Sequence, residues 1–294
     1  MSRIEQALEK AAHLRNTAGS SAVKTREVGN ASVQTTRQHT PPPPMDGAEL
    51  KRRIDNPLLA TLCDPHSVVS EEYRKLKSVV AAFARQGEFK NVIMVTSSVS
   101  SEGKSITSLN LAITLAQEFD HTVLLVDADL RKPSLQEYLG MKPGKGLSEY
   151  LNGEAELSEL LIKSGIGRLT LLPAGTPVRN PVELFSSQKL RDLLVEIKNR
   201  YPDRFIIIDT PPLLPFAEAR SLGALVDGVL FVIREGVVTP ANLQEAMNTI
   251  DGAKLIGTIF NEATQASLNG HYHYYGYGYS KQGTAGRGQG TVKP

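Results

Sequence analysis

Between residues 50 and 263, short runs rich in β-branched residues alternate with stretches of helical periodicity. The predicted strands are Val92–Ser97, Thr122–Asp127, Leu169–Pro173, Phe205–Asp209, Gly228–Ile233 and Leu255–Asn261. The predicted helices between them include Lys104–Glu118, Gln188–Arg200 and Pro240–Ile250. Several strands are apolar almost throughout, which indicates a sheet covered on both faces. The alternation predicts an α/β fold with a doubly wound, mostly parallel sheet.

The segment SVSSEGKS, residues 98–105, directly follows the first predicted strand and opens a predicted helix. It matches the P-loop pattern G-x-x-x-x-G-K-[ST], except that Ser98 replaces the first glycine. Gly103 lets backbone amides approach phosphate oxygens, Lys104 offers a charge to the β and γ phosphates, and Ser105 can ligate Mg²⁺. The alternative, for this motif alone, is a solvated loop. The predicted nucleotide-binding residues are Ser98, Ser101, Glu102, Gly103, Lys104, Ser105 and Ile106.

Two further motifs place acidic residues at the ends of predicted strands. In VLLVDADLRKP, Asp127 and Asp129 are two residues apart and are expected to point the same way. Such carboxylates repel each other, so the pair favours a divalent cation site over a solvated turn with a helix cap. In RFIIIDTPP, Asp209 ends an apolar strand and can hold Mg²⁺ directly or through water, or can simply form a turn. Together with the loop, these acids predict a nucleotide site.

Composition excludes several classes of function. The chain carries 33 Lys and Arg against 31 Asp and Glu, and the net charge of +2 argues against nucleic acid or an acidic membrane as a partner. The single cysteine, Cys63, excludes an internal disulfide and a cysteine-based metal cluster within one chain. No run approaches the roughly 18 apolar residues of a membrane helix, and the charged start of the sequence is unlike a signal peptide. A cytoplasmic location is therefore expected.

The composition also changes along the chain. Residues 1–15 have the spacing of an amphipathic helix, whereas residues 16–49 lack Ile, Leu and aromatic residues and include Pro41–Pro44. The second segment is therefore predicted to be a flexible linker. Residues 50–263 form the predicted globular domain. Residues 264–294 are rich in glycine, contain no acidic residue and are predicted to be a disordered tail.

These motifs resemble those of the bacterial tyrosine kinases of exopolysaccharide and capsule loci. That family carries a Walker A loop, a Walker A′ segment with D-x-D-x-R and a Walker B segment ending in D-[ST]-P-P, matched by SVSSEGKS, VLLVDADLR and FIIIDTPP. Its E-x-x-R-x-x-[RK] helix is matched by Glu71, Arg74 and Lys77, and its tyrosine cluster by HYHYYGYGY. The start, MSRIEQALEKA, resembles the exosortase-associated autokinases. Ser101 and Lys77 depart from the family, which often has glycine and arginine at these positions.

The resemblance implies a P-loop NTPase (MinD/ParA-like) fold and an autokinase that uses ATP and Mg²⁺. Mg²⁺ would lie on Ser105, with Asp129 and Asp209 in direct or water-mediated contact. Asp127 would orient or deprotonate the acceptor tyrosine. The implied catalytic residues are Lys104, Asp127, Asp129 and Asp209.

Two residues of the implied site have more than one interpretation. Arg131 would stabilise the phosphates or pair with a neighbouring subunit. Asn261, at the end of the last predicted strand, would contact the adenine edge or only form a turn.

The tail supplies the implied phosphoacceptors, five of the nine tyrosines: Tyr272, Tyr274, Tyr275, Tyr277 and Tyr279. A sticky low-complexity segment or a metal-binding tract that uses His271 and His273 is the alternative. A tail that feeds its own site must fold back, which favours transfer between subunits.

The resemblance also implies partners. Glu71, Arg74 and Lys77 would join subunits in a ring, although a solvated helix face is the alternative. The N-terminal helix would dock on a membrane-embedded chain-length or activator protein, or pack on its own domain. The first option would hold the kinase at the inner face of the membrane. A tyrosine phosphatase would reset the tail, and polysaccharide export would respond to this cycle.

Two other functions stay open at this point. A septum-positioning or partitioning ATPase shares the fold, but its deviant Walker A loop has a lysine where this chain has Val99, and it has no use for a tyrosine tail. A nucleotide-gated scaffold for polysaccharide assembly would bind ATP and transfer little phosphate. A reductase of the nitrogenase iron-protein type needs paired cysteines, so Cys63 alone excludes it.

Overall fold

The computed structural model describes residues 54, 56–118, 121–200, 203–250 and 254–264. The predicted N-terminal helix at 1–15, the linker at 16–49 and the tail from residue 265 onward, with its five tyrosines, lie outside these residues. Within the described part of the chain, no helix has both the length and the apolar character needed to cross a membrane.

In the described residues, seven strands form one sheet in the order β3-β4-β2-β5-β1-β6-β7. Every neighbouring pair is parallel except β3 and β4, which are antiparallel. The strands are β1 Val92–Ser97, β2 Thr122–Asp127, β3 Ile162–Lys163, β4 Leu169–Leu172, β5 Arg204–Asp209, β6 Gly228–Arg234 and β7 Leu255–Asn261. The predicted doubly wound, mostly parallel sheet is confirmed.

The helices connect the strands and lie on both faces of the sheet. They are α1 Ala60–Cys63, α2 Val68–Ala84, α3 Lys104–Ala116, α4 Leu135–Tyr138, α5 Leu147–Asn152, α6 Leu157–Leu160, α7 Val182–Ser186, α8 Gln188–Arg200, α9 Ala217–Gly223 and α10 Pro240–Met247. Two of them begin at hydroxyl caps, because Ser67 accepts the Ser70 N–H and Thr239 accepts the Asn242 N–H. Predicted helices 104–118 and 240–250 end two and three residues early.

Alternating residues of β1 enter two separate cores. Ile93 and Val95 pack on the side of α3, with Leu109 and Ile113, whereas Met94 faces the core beneath α8. Because β1 is buried throughout, its sequence is a continuous apolar run rather than an alternating one. The strands β5, β1 and β6 are neighbours, so their carboxyl ends meet at one edge of the sheet, where the loop before α3 also lies.

Candidate active site

The loop from Ser98 to Lys104 leaves the end of β1 and turns directly into α3. Gly103 has a φ of 91°, and a Cβ there would lie 2.1 Å from Asn261 Nδ2, so only glycine fits. The Glu102 carboxylate is buried and accepts the Val99 N–H at 2.8 Å, which curls the loop around it. The phosphate-binding motif therefore forms a compact loop at the start of a helix, as the sequence predicts.

The predicted nucleotide-binding residues at the two ends of the motif lie in different surroundings, Ser98 in the loop and Ser105 and Ile106 in the helix that follows. The carbonyl of Ser98 accepts the Leu214 N–H at 3.2 Å, while its buried hydroxyl has no partner among the described residues. Ser105 and Ile106 belong to the first turn of α3. The loop is thus tied at its start to the chain that follows β5.

Asp127 and Asp209 lie directly opposite each other at the ends of the paired strands β2 and β5. Ser108 Oγ donates to Asp209 Oδ1 at 3.0 Å, whereas Asp209 Oδ2 is buried and has no partner in the described part of the chain. The fold thus brings the two predicted acids together, although they are far apart in sequence.

Burial raises the pKa of Asp209 to about 6, despite the opposing effects of the Lys104 charge and the Ser105 and Ser108 hydroxyls. Burial, followed by the nearby Asp209 charge, raises the pKa of Asp127 well above its ordinary value. Burial also raises the pKa of Asp129, although the Lys132 N–H and the Lys104 charge oppose this rise. Lys104 is itself buried, and its ammonium acts on both Asp129 and Asp209. Asp129 and Asp209 therefore share the Lys104 charge, and burial still keeps the pKa of each above its ordinary value.

The oxygen atoms at this edge fit a nucleotide-bound Mg²⁺. No group of three or more His, Cys, Asp or Glu side chains forms a cation cage within the described residues. Mg²⁺ in nucleotide sites is held by one or two carboxylates together with phosphate oxygens, so a protein cage is not required. The unpartnered Asp209 Oδ2 next to Ser105 supplies such a donor set.

Asp127 also has a structural role. Its carboxylate accepts the backbone N–H groups of Asp129, Ser134 and Leu135 at 3.2, 3.3 and 3.2 Å. The last two belong to the start of α4, so the helix-cap interpretation of this acid holds in the structure. These bonds fix the direction of the side chain toward Asp209.

Arg131 is engaged within its own subunit. Its Nε lies 2.5 Å from Glu218 Oε1, its Nη1 donates to the Arg179 carbonyl at 2.6 Å, and its guanidinium lies 4.7 Å above the Phe216 ring. Glu218 is buried, and its second oxygen has no partner among the described residues. Glu218 was not predicted from the sequence, since an acid in the first turn of a helix gives no sign of its partner.

Asn261 lies against the loop rather than pointing away from it. Its Nδ2 donates to the Glu102 carbonyl at 3.0 Å. The side chain therefore positions the phosphate-binding loop in this structure, and the adenine contact stays a prediction.

The charged residues of α2 do not join this site. Arg74 lies 2.6 Å from Glu71 and also donates to the Pro65 carbonyl. Lys77 lies 2.5 Å from Glu118, just beyond the end of α3. The helix therefore has a separate charged surface, whose role the site does not explain.

Comparison with known proteins agrees with this geometry. A family model described as AAA domain matches residues 90–261. Tyrosine-protein kinase YwqD of Bacillus subtilis is 34% identical over 231 residues, which cover 77% of this chain and 93% of YwqD. Putative tyrosine-protein kinase CapB of Staphylococcus aureus is 30% identical over 200 residues, which cover 67% of this chain and 86% of CapB.

A solved structure gives the same result. The kinase domain of the Escherichia coli tyrosine kinase ETK aligns with a TM-score of 0.65 and 30% identity, over 75% of this chain and 84% of that domain. The sequence resemblance is thus confirmed by both curated relatives and structure. The chain therefore belongs to the bacterial tyrosine-protein kinases, enzymes with an ATP-binding P-loop.

Proposed function

We propose that this kinase transfers the γ-phosphate of ATP to tyrosines in its own C-terminal tail, on a neighbouring copy of the chain. The observation that supports this most is the pairing of Asp127 and Asp209 beside the P-loop, with Asp209 Oδ2 buried and unpartnered. The acceptors are Tyr272, Tyr274, Tyr275, Tyr277 and Tyr279.

The side chains of the site have separate tasks. Lys104 and the loop amides hold the phosphates, since phosphoryl transfer depends mainly on positioning and charge neutralisation. Ser105 would hold Mg²⁺, with Asp209 and Asp129 in direct or water-mediated contact, and the ion would neutralise charge on the phosphates. Arg131, whose side chain is paired with Glu218, would add a second positive charge next to the phosphates.

Asp127 acts on the acceptor. A phenol has a pKa of about 10, so a base at its hydroxyl helps at neutral pH. A carboxylate whose pKa is raised binds a proton more readily than an ordinary one, and the pKa of Asp127 is raised by burial and by Asp209. Its three backbone hydrogen bonds hold it in one direction while it accepts the proton.

The position of the tail supports transfer between copies. The strand β7 ends beside the P-loop at Asn261, and Tyr272 lies eight residues beyond Thr264. Eight extended residues span at most about 28 Å, enough to leave the edge of one subunit. A tail that enters its own site must fold back, whereas a tail that enters a neighbour's site need not.

The wider assembly that we propose rests on the family resemblance. Glu71, Arg74 and Lys77 would join subunits in a ring. The N-terminal helix at 1–15 and the linker at 16–49 would connect the kinase domain at 50–263 to a membrane-embedded activator. The kinase would then work at the inner face of the membrane, a phosphatase would reset the tail at 264–294, and exopolysaccharide export would follow the cycle.

Labelled ATP tests the assignment of the P-loop. The full chain is incubated with ATP and Mg²⁺, and its phosphopeptides are mapped. We expect label on the tail peptides, and we expect Lys104→Met to reduce it at least about 100-fold, because the charge that meets the phosphates is lost while the apolar stem remains. Lys163→Met, at an exposed residue on the far edge strand β3, is the matched control and should label normally.

Undiminished labelling in Lys104→Met would contradict the nucleotide assignment. Label confined to sites outside the tail would contradict the tail as acceptor. ATP binding with no label at all would instead support a nucleotide-gated scaffold.

A further inference from the structure

Among the described residues, only Ser101 and Glu262 combine a side chain with a positive φ, at 65° and 52°. This left-handed conformation is unfavourable for a residue with a Cβ, so neighbouring contacts must hold it. Both residues contact the same side chain, that of Arg234 at the end of β6.

On the side of the P-loop, Arg234 makes two contacts. Its Nη1 donates to the Ser101 carbonyl at 3.1 Å, and its backbone N–H donates to Glu102 Oε1 at 3.4 Å. The other oxygen of Glu102 accepts the Val99 N–H. Arg234 therefore holds the loop at Ser101 and, through Glu102, at Val99.

On the side of β7, Arg234 Nη2 lies 2.5 Å from Glu262 Oε2. The ion pair is partly exposed, so by itself it contributes little to stability. Its effect is to fix the guanidinium, whose planar fork can bond Ser101 and Glu262 at once. One side chain thus joins the phosphate-binding loop to the point where the chain leaves β7.

We propose that Arg234 is a positioning residue of the nucleotide site. It holds Ser101 in the left-handed conformation, so that the amides of the P-loop face the phosphates. A glycine at position 101 would adopt this conformation without help, because it has no Cβ. The inference rests on the proposed nucleotide site and adds to it a residue that lies outside all the sequence motifs.

The roles of Arg234 and Ser101 predict a specific rescue. Arg234→Ala should weaken ATP binding about tenfold, since the strained conformation then lacks its anchor. Ser101→Gly changes the loop itself, so its own affinity for ATP serves as the reference for the double variant. The double variant should regain the affinity of Ser101→Gly, because glycine no longer needs the anchor.

The measurement is a titration of the full chain with a fluorescent ATP analogue and Mg²⁺, with a thermal melt of each protein. The matched control is Arg200→Ala, which removes an exposed arginine paired with Glu196 on α8. The KM for ATP should rise in Arg234→Ala while kcat stays close to normal, because Arg234 does not touch the reacting atoms. A residue that serves only general stability would not be rescued by Ser101→Gly.

Normal affinity in Arg234→Ala, or an equal loss in the Ser101→Gly background, would overturn the inference alone. Absence of binding by the unsubstituted chain would overturn the nucleotide site together with it. If Arg234→Ala fails to fold, the ATP affinity of Arg234→Lys is measured instead. Lysine keeps the charge without the fork, so we expect an intermediate affinity, and unchanged affinity would overturn the inference.

Discussion

The carboxyl of Asp209 is fully buried and faces Asp127 across two paired strands. Its pKa is raised to about 6, mainly by burial. Between the ordinary pKa of an aspartate and this raised value, the folded chain binds a proton that the unfolded chain has lost. The group therefore stabilises the fold at low pH, and this contribution disappears as the pH rises through about 6.

Asp209→Asn should remove this pH dependence in protein kept free of nucleotide and divalent cations. In the unsubstituted chain, the contribution of Asp209 to the free energy of unfolding should fall by about 1.4 kcal/mol between pH 5 and pH 8, because one pH unit of the shift lies in this range. Urea unfolding across this range in the presence of a chelator measures it. The exposed Asp192→Asn on α8 is the control and should behave like the unsubstituted chain. Parallel pH curves for Asp209→Asn and the unsubstituted chain would contradict the explanation.

Residues of the loop and of the strand ends were predictable because their chemistry is local. Lys104 follows Gly103 within one motif, and Asp209 ends an apolar run, so a short window of sequence identifies them. Glu218 and Arg234 were not predictable, because their partners Arg131 and Ser101 lie 87 and 133 residues away. Only the folded sheet brings those segments together.

Among the elements, the strands of four or more residues were predicted best. The predicted β1, β2 and β7 have the observed bounds, and β4, β5 and β6 differ by one residue at one end. Strand β3, with two residues, and short helices such as α4 and α6 have too few residues to show a period. Such elements depend on their tertiary contacts.

The helix α2 has an outer surface that nothing covers in the described part of the chain. Val68, Val69 and Val79 are each at least 50% exposed, on the same helix as Glu71 and Arg74. Exposed apolar residues next to charges are typical of a surface that meets another protein. This supports the proposed contact between subunits through α2.

Replacing Glu71, Arg74 and Lys77 together by alanine should shift the protein to a smaller species and reduce tail labelling. Lys77 also pairs with Glu118 inside the subunit, so Glu118→Ala is the necessary control. That variant removes the internal pair and leaves the three α2 residues in place, and it should keep the full mass. Light scattering that shows an unchanged mass in the triple variant would count against the interface.

For the whole molecule, the sheet order brings the proposed catalytic groups together. The interior strand β1 carries the P-loop, and β5 and β2 on one side carry Asp209 and Asp127. On the other side, β6 and β7 end at Arg234 and Asn261, which hold the same loop. The class of fold followed from alternation of strands and helices, whereas the order of the strands did not, since any parallel arrangement would have given the same sequence pattern.

The tail leaves the domain next to the loop that binds the nucleotide. Thr264 N–H donates to Glu235 Oε2 at 2.5 Å, and Asn261 donates to the P-loop, so the chain is fixed close to the site just before the tail. A tail that starts here reaches a neighbour's site only where copies of the chain associate, so the proposed transfer depends on assembly.

The central claim is transfer of phosphate from one copy to the tail of another. The direct test mixes a Lys104→Met chain that keeps its tail with an active chain truncated before Tyr272, in the presence of ATP and Mg²⁺. A second Lys104→Met chain, with the five tail tyrosines changed to Phe, is the control. We predict phosphotyrosine on the tail of the inactive chain and none on the control. No phosphotyrosine on the inactive chain, with both proteins folded and associated, would contradict the account.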